Sequence, residues 1–228
     1  MRALRTLLIF LVILGGLFVG ADRLAVNLAE DEAASRIKSA RGLSEQPSVE
    51  VHGFPFLTQV LGKELESVDA TLNGLTVQVG GQEIDVTEVD VNLRDVRLEN
   101  NFSSAVADRA TGSARISYQD LTEVGRKGAV IGYAGPERAA RNQVKLEAKV
   151  PLLDLTLYST VGVRDGDTIS VRADELPDVP VAEDVVRGQI DRNLEVTGLP
   201  QGLRLEKVDV DDKGVVLHLR GEDVALIG

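Results

Sequence analysis

The chain has 228 residues, with 36 Asp and Glu against 25 Lys and Arg, and a formal charge of −11. That balance argues against nucleic acid, whose affinity rests on Lys and Arg at phosphates, and against broad adhesion to anionic lipid. There is no cysteine, which excludes disulfides and a thiol-linked lipid anchor.

Arg2 and Arg5 precede an uncharged apolar run, residues 6–21. As a helix these residues span about 24 Å, against a hydrocarbon core of about 30 Å. The run reads as a secretory signal or a membrane anchor. Val19-Gly20-Ala21 fits a small-residue cleavage site; Arg5 and Arg23 equally fit two snorkelling flanks of a retained helix. Beyond residue 21 lie 207 residues, and setting Arg2 and Arg5 aside brings the charge to −13. They read as one domain, 22–228, placed outside the cytoplasm.

The domain opens on a leading helix, 22–43, whose apolar stripe is Val26, Ala29, Ala33, Ile37 and Ala40. Residues 48–52 alternate as a strand. Gly53-Phe54-Pro55 turns into a short helix ending near Gly62, with Phe56, Leu57, Val60 and Leu61 expected on one face. From Leu65 the period is two. The apolar phase slips after Asn73-Gly74, again between Val86 and Val89, and again between Leu93 and Val96; each slip predicts a bulge or bend. Gly80-Gly81 predicts a hairpin. Ala110 to Ile116 alternates, and Ser117 is placed to cap a helix over 118–124. Strands follow at Val144 to Val150, Leu153 to Leu157 and Ile169 to Ala173. A helix after Pro180 carries Ala182, Val186, Ile190 and Leu194. Leu203 to Val210 and Val215 to Leu219 close the chain as a hairpin.

Leu65-Glu66-Ser67-Val68-Asp69 with Gly74 echoes Leu205-Glu206-Lys207-Val208-Asp209 with Gly214, so a two-half organisation is an open expectation. The one-sided alternation predicts an antiparallel sheet with one wet face, in an α+β fold whose helices lie on the apolar face.

Chemistry-bearing patterns are sparse. His52 and His218 have no partner nearby in sequence and read as surface residues. Residues 209–214 look like a calcium loop, but Lys213 stands at an acid position and Arg220 where a glutamate belongs, so a hairpin turn explains them better. No nucleophile elbow or S-x-x-K element occurs. Acids such as Asp85 and Asp90 fit solvated strand faces. No catalytic residue, metal site or cofactor is expected.

The segment His52-Gly53-Phe54-Pro55-Phe56-Leu57-Thr58-Gln59 places two of the five phenylalanines within three residues. Phenylalanines that plug the core and an apolar lip on a lipid cavity are both readings of it. With Leu65-Glu66-Ser67-Val68-Asp69 and the Asn73-Gly74 strand behind it, this segment resembles the LmeA-like phospholipid-binding proteins of actinobacterial envelopes. The resemblance implies a long curved sheet wrapped around amphipathic helices, a phospholipid ligand and a role in envelope lipid or lipoglycan assembly. Phe54, Phe56, Leu57, Val60 and Leu61 are the residues expected to line or gate the cavity, with phospholipid and the cytoplasmic membrane as partners. A structural module with a filled core is the alternative.

Overall fold

A computed structural model describes residues 2–100, 104–124, 129–150, 153–174, 187–188 and 190–227. Its first element is one uninterrupted helix, α1 (Arg2–Arg41). At 1.5 Å per residue its 40 residues run about 60 Å, twice the thickness of a bilayer's hydrocarbon. The first half is apolar and exposed all round. The second half buries Val26 and Ala34 against the domain. Gly42 ends the helix in the left-handed conformation, and the Leu43 N–H reaches back to the Lys38 carbonyl, 3.0 Å.

The rest is almost entirely antiparallel strand. In chain order come β1 (Ser48–His52), α2 (Phe56–Gly62), β2 (Glu64–Val79), β3 (Gln82–Glu99), β4 (Ser104–Ser117) and α3 (Tyr118–Val124). Next are β5 (Ala129–Tyr133), α4 (Pro136–Ala139), β6 (Gln143–Val150), β7 (Leu153–Arg164) and β8 (Thr168–Ala173). The chain closes with β9 (Arg192–Thr197), β10 (Leu203–Val210) and β11 (Gly214–Ile227). These strands form one eleven-stranded sheet in the order β10-β11-β4-β3-β2-β9-β8-β7-β6-β5, with β1 also paired to β2. The outer edge of β2 is thus shared: β1 takes its first half and β9 its last two residues.

The sheet curls until its edge strand β10 meets the β7–β8 turn, where the Leu205 N–H donates to the Gly166 carbonyl, 2.7 Å. At this end Val79, Ile84, Val86, Ile116, Val161, Ile169, Leu205 and Val208 form one core. At the other end Leu65, Leu93, Val96, Ala107, Ala110 and Val224 form a second, roofed by Val26 of α1 and Phe56 of α2. The sheet is therefore a half-barrel, and the helices lie against its apolar face as the alternation predicts.

The phase slips mark real creases. The inward positions jump from Leu65 to Val68 in β2, Val96 to Leu93 in β3, Ala107 to Ala110 in β4, and Val224 to Gly221 in β11. These jumps share one line across the sheet, because the pairing registers of all four strands skip a residue there: Glu66, Asp95, Asp108 and Asp223. Asp95 and Asp223 take left-handed φ values of 52° and 49° there. Outside the crease, Arg97 pairs with Asp108 and Asp223, and Arg109 with Asp95. A second crease passes through Gly74, φ 66°, opposite Thr87.

Three expectations change in detail. The helix predicted after Pro180 falls mostly outside the described residues, but Leu194 lies in β9, paired to Ile169, and packs on the first core. On α1 the buried small residue is Ala34, and Ala40 is exposed. On α2 the apolar residues do not share one face: Phe56 and Val60 point inward, while Leu61 points out. The spacing of four that joins Phe56 to Val60 also joins Leu57 to Leu61, one position round the helix.

Candidate lipid-binding face

Between the two creases the inner face of the sheet carries only apolar residues. The strand registers arrange them in rows. One row is Val51, Val68, Leu93, Ala110, Gly221 and Leu203, from β1 across β2, β3, β4 and β11 to β10. The next is Val49, Ala70, Val91, Gly112, Leu219 and Leu205. The third is Leu72, Val89, Ala114 and Leu217. Ala70, Leu72, Val89, Val91, Gly112, Ala114 and Leu219 in this panel are only half-buried. The panel runs about 26 Å from Glu66 to Gly74 at 3.3 Å per residue. One leaflet's hydrocarbon is about 15 Å, half of a core of about 30 Å, so the panel is long enough for an acyl chain.

Small residues hold the panel low. Gly112 is there because backbone approaches it closely: a Cβ would lie 3.0 Å from the Asp90 carbonyl oxygen. The wet face opposite is laced by cross-strand pairs such as Thr71 to Asp90, 2.9 Å, and Thr76 to Asp85, 2.8 Å. These are the carboxylates that the alternation assigns to solvent.

The five residues expected to line or gate a cavity divide into two sets. Phe56, 6% exposed, is in the second core, and Val60 packs on it. Leu57 is half-buried. Phe54 is 58% exposed and Leu61 84% exposed, at opposite ends of α2. The Arg23 guanidinium stands 5.2 Å from the Phe54 ring centroid.

Asp22, which the sequence reading passes over, organises this corner. It is fully buried at the point where the apolar half of α1 ends. Its Oδ1 accepts the Leu57 N–H at 2.9 Å, and its Oδ2 accepts from Arg23 at 2.9 Å. Pro55, at the N-cap of α2, offers no side-chain cap of its own, so the carboxylate of one helix closes the open end of another. The signal in sequence was an acid directly after sixteen uncharged residues. Glu30, two turns on, takes the Val51 N–H of β1 at 2.7 Å. Together they fasten α1 to α2 and β1.

Other polar clusters are structural. His52 Nε2 donates to the Asp69 carboxylate, and His218 Nε2 to that of Asp209, each at 2.8 Å. Asp211 accepts from the Lys213 and Gly214 N–H groups and from Arg115. Burial would raise its carboxyl, but these hydrogen bonds and the Arg115 charge hold it below the usual carboxylate value. Among the described residues no group of three or more His, Asp or Glu converges to hold a metal. A cleft of about 490 Å³ opens beside the β7–β8 turn. Its lining includes Asp165, Asp167, Glu195 and Arg204, a set suited to water rather than to acyl chains.

No match to the chain was found among curated proteins or solved structures. A family model for LmeA-like phospholipid-binding matches residues 20–220. The match begins where the apolar half of α1 ends and covers Asp22, α2 and every residue of the inner panel but Gly221. The chain belongs to the LmeA-like phospholipid-binding family.

Proposed function

We propose that the protein binds a phospholipid with its acyl chains along the inner panel, while α1 holds the domain on the outer side of the cytoplasmic membrane. The observation that carries this reading is the uncharged inner panel, whose half-buried Ala70, Leu72 and Gly112 join the two cores, in a chain of a phospholipid-binding family. Apolar burial contributes about 0.8 kcal/mol per CH₂, so acyl chains are held without a cationic surface. Phe56 and Val60 form the floor of the α2 end; Phe54, Leu57 and Leu61 form its rim. The role is carriage of lipid for envelope lipid or lipoglycan assembly, without chemistry on the lipid.

Native mass spectrometry of the full chain, purified from membranes in mild detergent, tests this. The wild type and Thr111→Asp, which changes the exposed outer face of β4, should carry a phospholipid adduct. Ala70→Asp, which puts a charge on the panel, should lose it while keeping the circular dichroism of the sheet. A wild type with no adduct and no binding to phospholipid vesicles, or an Ala70→Asp chain that binds as well as wild type, would sink the reading.

A further inference from the structure

Beyond Val19 the described residues leave five large apolar side chains exposed: Leu24, Leu28, Phe54, Leu61 and Val130. Only Val130 is remote from α1 and α2. Leu24 and Leu28 stand on α1, on the side away from the buried Asp22 and Val26. Phe54 and Leu61 stand on the α2 segment that Asp22 fixes to α1. Exposed apolar residues confined to the two elements beside the apolar half of α1 mark a contact surface.

The page also says what that surface meets. The cluster continues directly from the exposed apolar half of α1, the one helix among the described residues long and apolar enough to cross a membrane. Leu24 and Leu28 rise only about 3 and 9 Å above Asp22 along α1, the depth of a headgroup layer. Two cations flank the apolar tips: Arg23, beside Phe54, and the exposed Lys63, at the C-cap of α2. Aromatic and leucine tips with cations beside them suit the boundary between acyl chains and lipid phosphates. Elsewhere the acidic surface of the domain gives it no general attraction to anionic lipid.

We propose that Phe54 and Leu61 dip into the bilayer from which α1 emerges, with Arg23 and Lys63 at the phosphates, so that the α2 end of the panel opens onto the lipid layer. This docking rests on the reading of α1 as a retained anchor. It adds a route to the binding face: lipid enters sideways, past α2, without crossing water.

The chain has no tryptophan, so single substitutions report cleanly. Full chains carrying Phe54→Trp, Leu61→Trp, Val130→Trp or Phe10→Trp are reconstituted in phosphatidylcholine–phosphatidylglycerol vesicles containing spin-labelled phosphatidylcholine. A label near the headgroup should quench the F54W and L61W chains severalfold more than V130W and shift their emission to the blue. A deep label should quench F10W. Equal quenching of F54W, L61W and V130W overturns the docking. An unquenched F10W overturns it too, since the anchor is then not in the bilayer. Lipid adducts in the mass spectra are read separately: adducts without quenching leave the panel as a binding site and remove the docking, and quenching without adducts does the reverse.

Discussion

At the scale of single residues, Asp22 joins the exposed apolar half of α1 to the domain. Replacing it with Leu keeps the branching at Cγ and removes the acceptor, leaving the Leu57 N–H without a partner. Hydrogen exchange at Leu57 and Thr58 should quicken in Asp22→Leu while the amides of β3 and β4 stay protected. Uniform quickening across the sheet would mean the contact supports the whole fold instead. Asp211 contributes to the acid response, as do Asp22 and Asp209, whose carboxyls are also depressed. The Asp211 carboxyl is depressed in the fold, so its contribution is present above the ordinary carboxylate pKa and is lost as pH falls through the lower folded value. Asp211→Asn should therefore flatten the acid limb of the stability curve below about pH 4. Tyr118 acts at the other extreme. Its hydroxyl donates to the Asp211 carbonyl at 2.5 Å, and burial, with the Asp211 charge, pushes it up to about 12. Stability falls from about pH 10 upward, where the unfolded phenol ionises first.

At the scale of elements, the creases divide long strands into panels. Gly74 has nothing closer to a built Cβ than the Ser44 hydroxyl at 3.9 Å, so its requirement is its φ of 66° alone. Gly74→Val should cost about 1–2 kcal/mol, and Gly74→Asn clearly less, because Asn tolerates the left-handed region. Urea titration of the two variants decides this. Equal losses would place the cost in packing. By contrast Val86, 1% exposed in the first core, should lose about 2–3 kcal/mol on truncation to Ala. The creases were legible in the sequence, since the apolar phase records each strand's twist locally. So were β1, α2 and α3, whose ends carry Pro55, Gly62 and Ser117. What was not legible depends on distant partners. Strand β9 shows too little alternation to declare itself, and pairing with Thr168 to Val171 on one side and with Gln78 and Val79 on the other makes it a strand. The partners of His52 and His218 sit diagonally across neighbouring strands, 17 and 9 residues away in sequence. Leu61 was placed on the buried face because helical spacing gives neighbours on a helix, not the side from which the protein approaches.

At the scale of the whole molecule, the acidic exterior and the uncharged panel separate solubility from ligand affinity. Lipid binding that rests on apolar burial should change little between 50 mM and 500 mM salt, whereas a polybasic binder loses affinity steeply. A steep loss in a vesicle-binding titration would move the binding determinant from the panel to Arg23 and Lys63. The internal echo also reads differently in three dimensions: Gly74 lies inside β2 while Gly214 opens β11. The continuity of α1 through Ala21 and Asp22 has a mechanical consequence. No hinge separates the two halves of that helix, and Asp22 and Glu30 clamp the outer half to α2 and β1. A domain on a flexible tether explores a hemisphere, but one bolted to a stiff rod inherits the rod's tilt. On the proposed reading, with α1 embedded, the domain would keep one bearing toward the membrane plane and search in two dimensions only, so a partner taking lipid from it would have to come to the membrane surface.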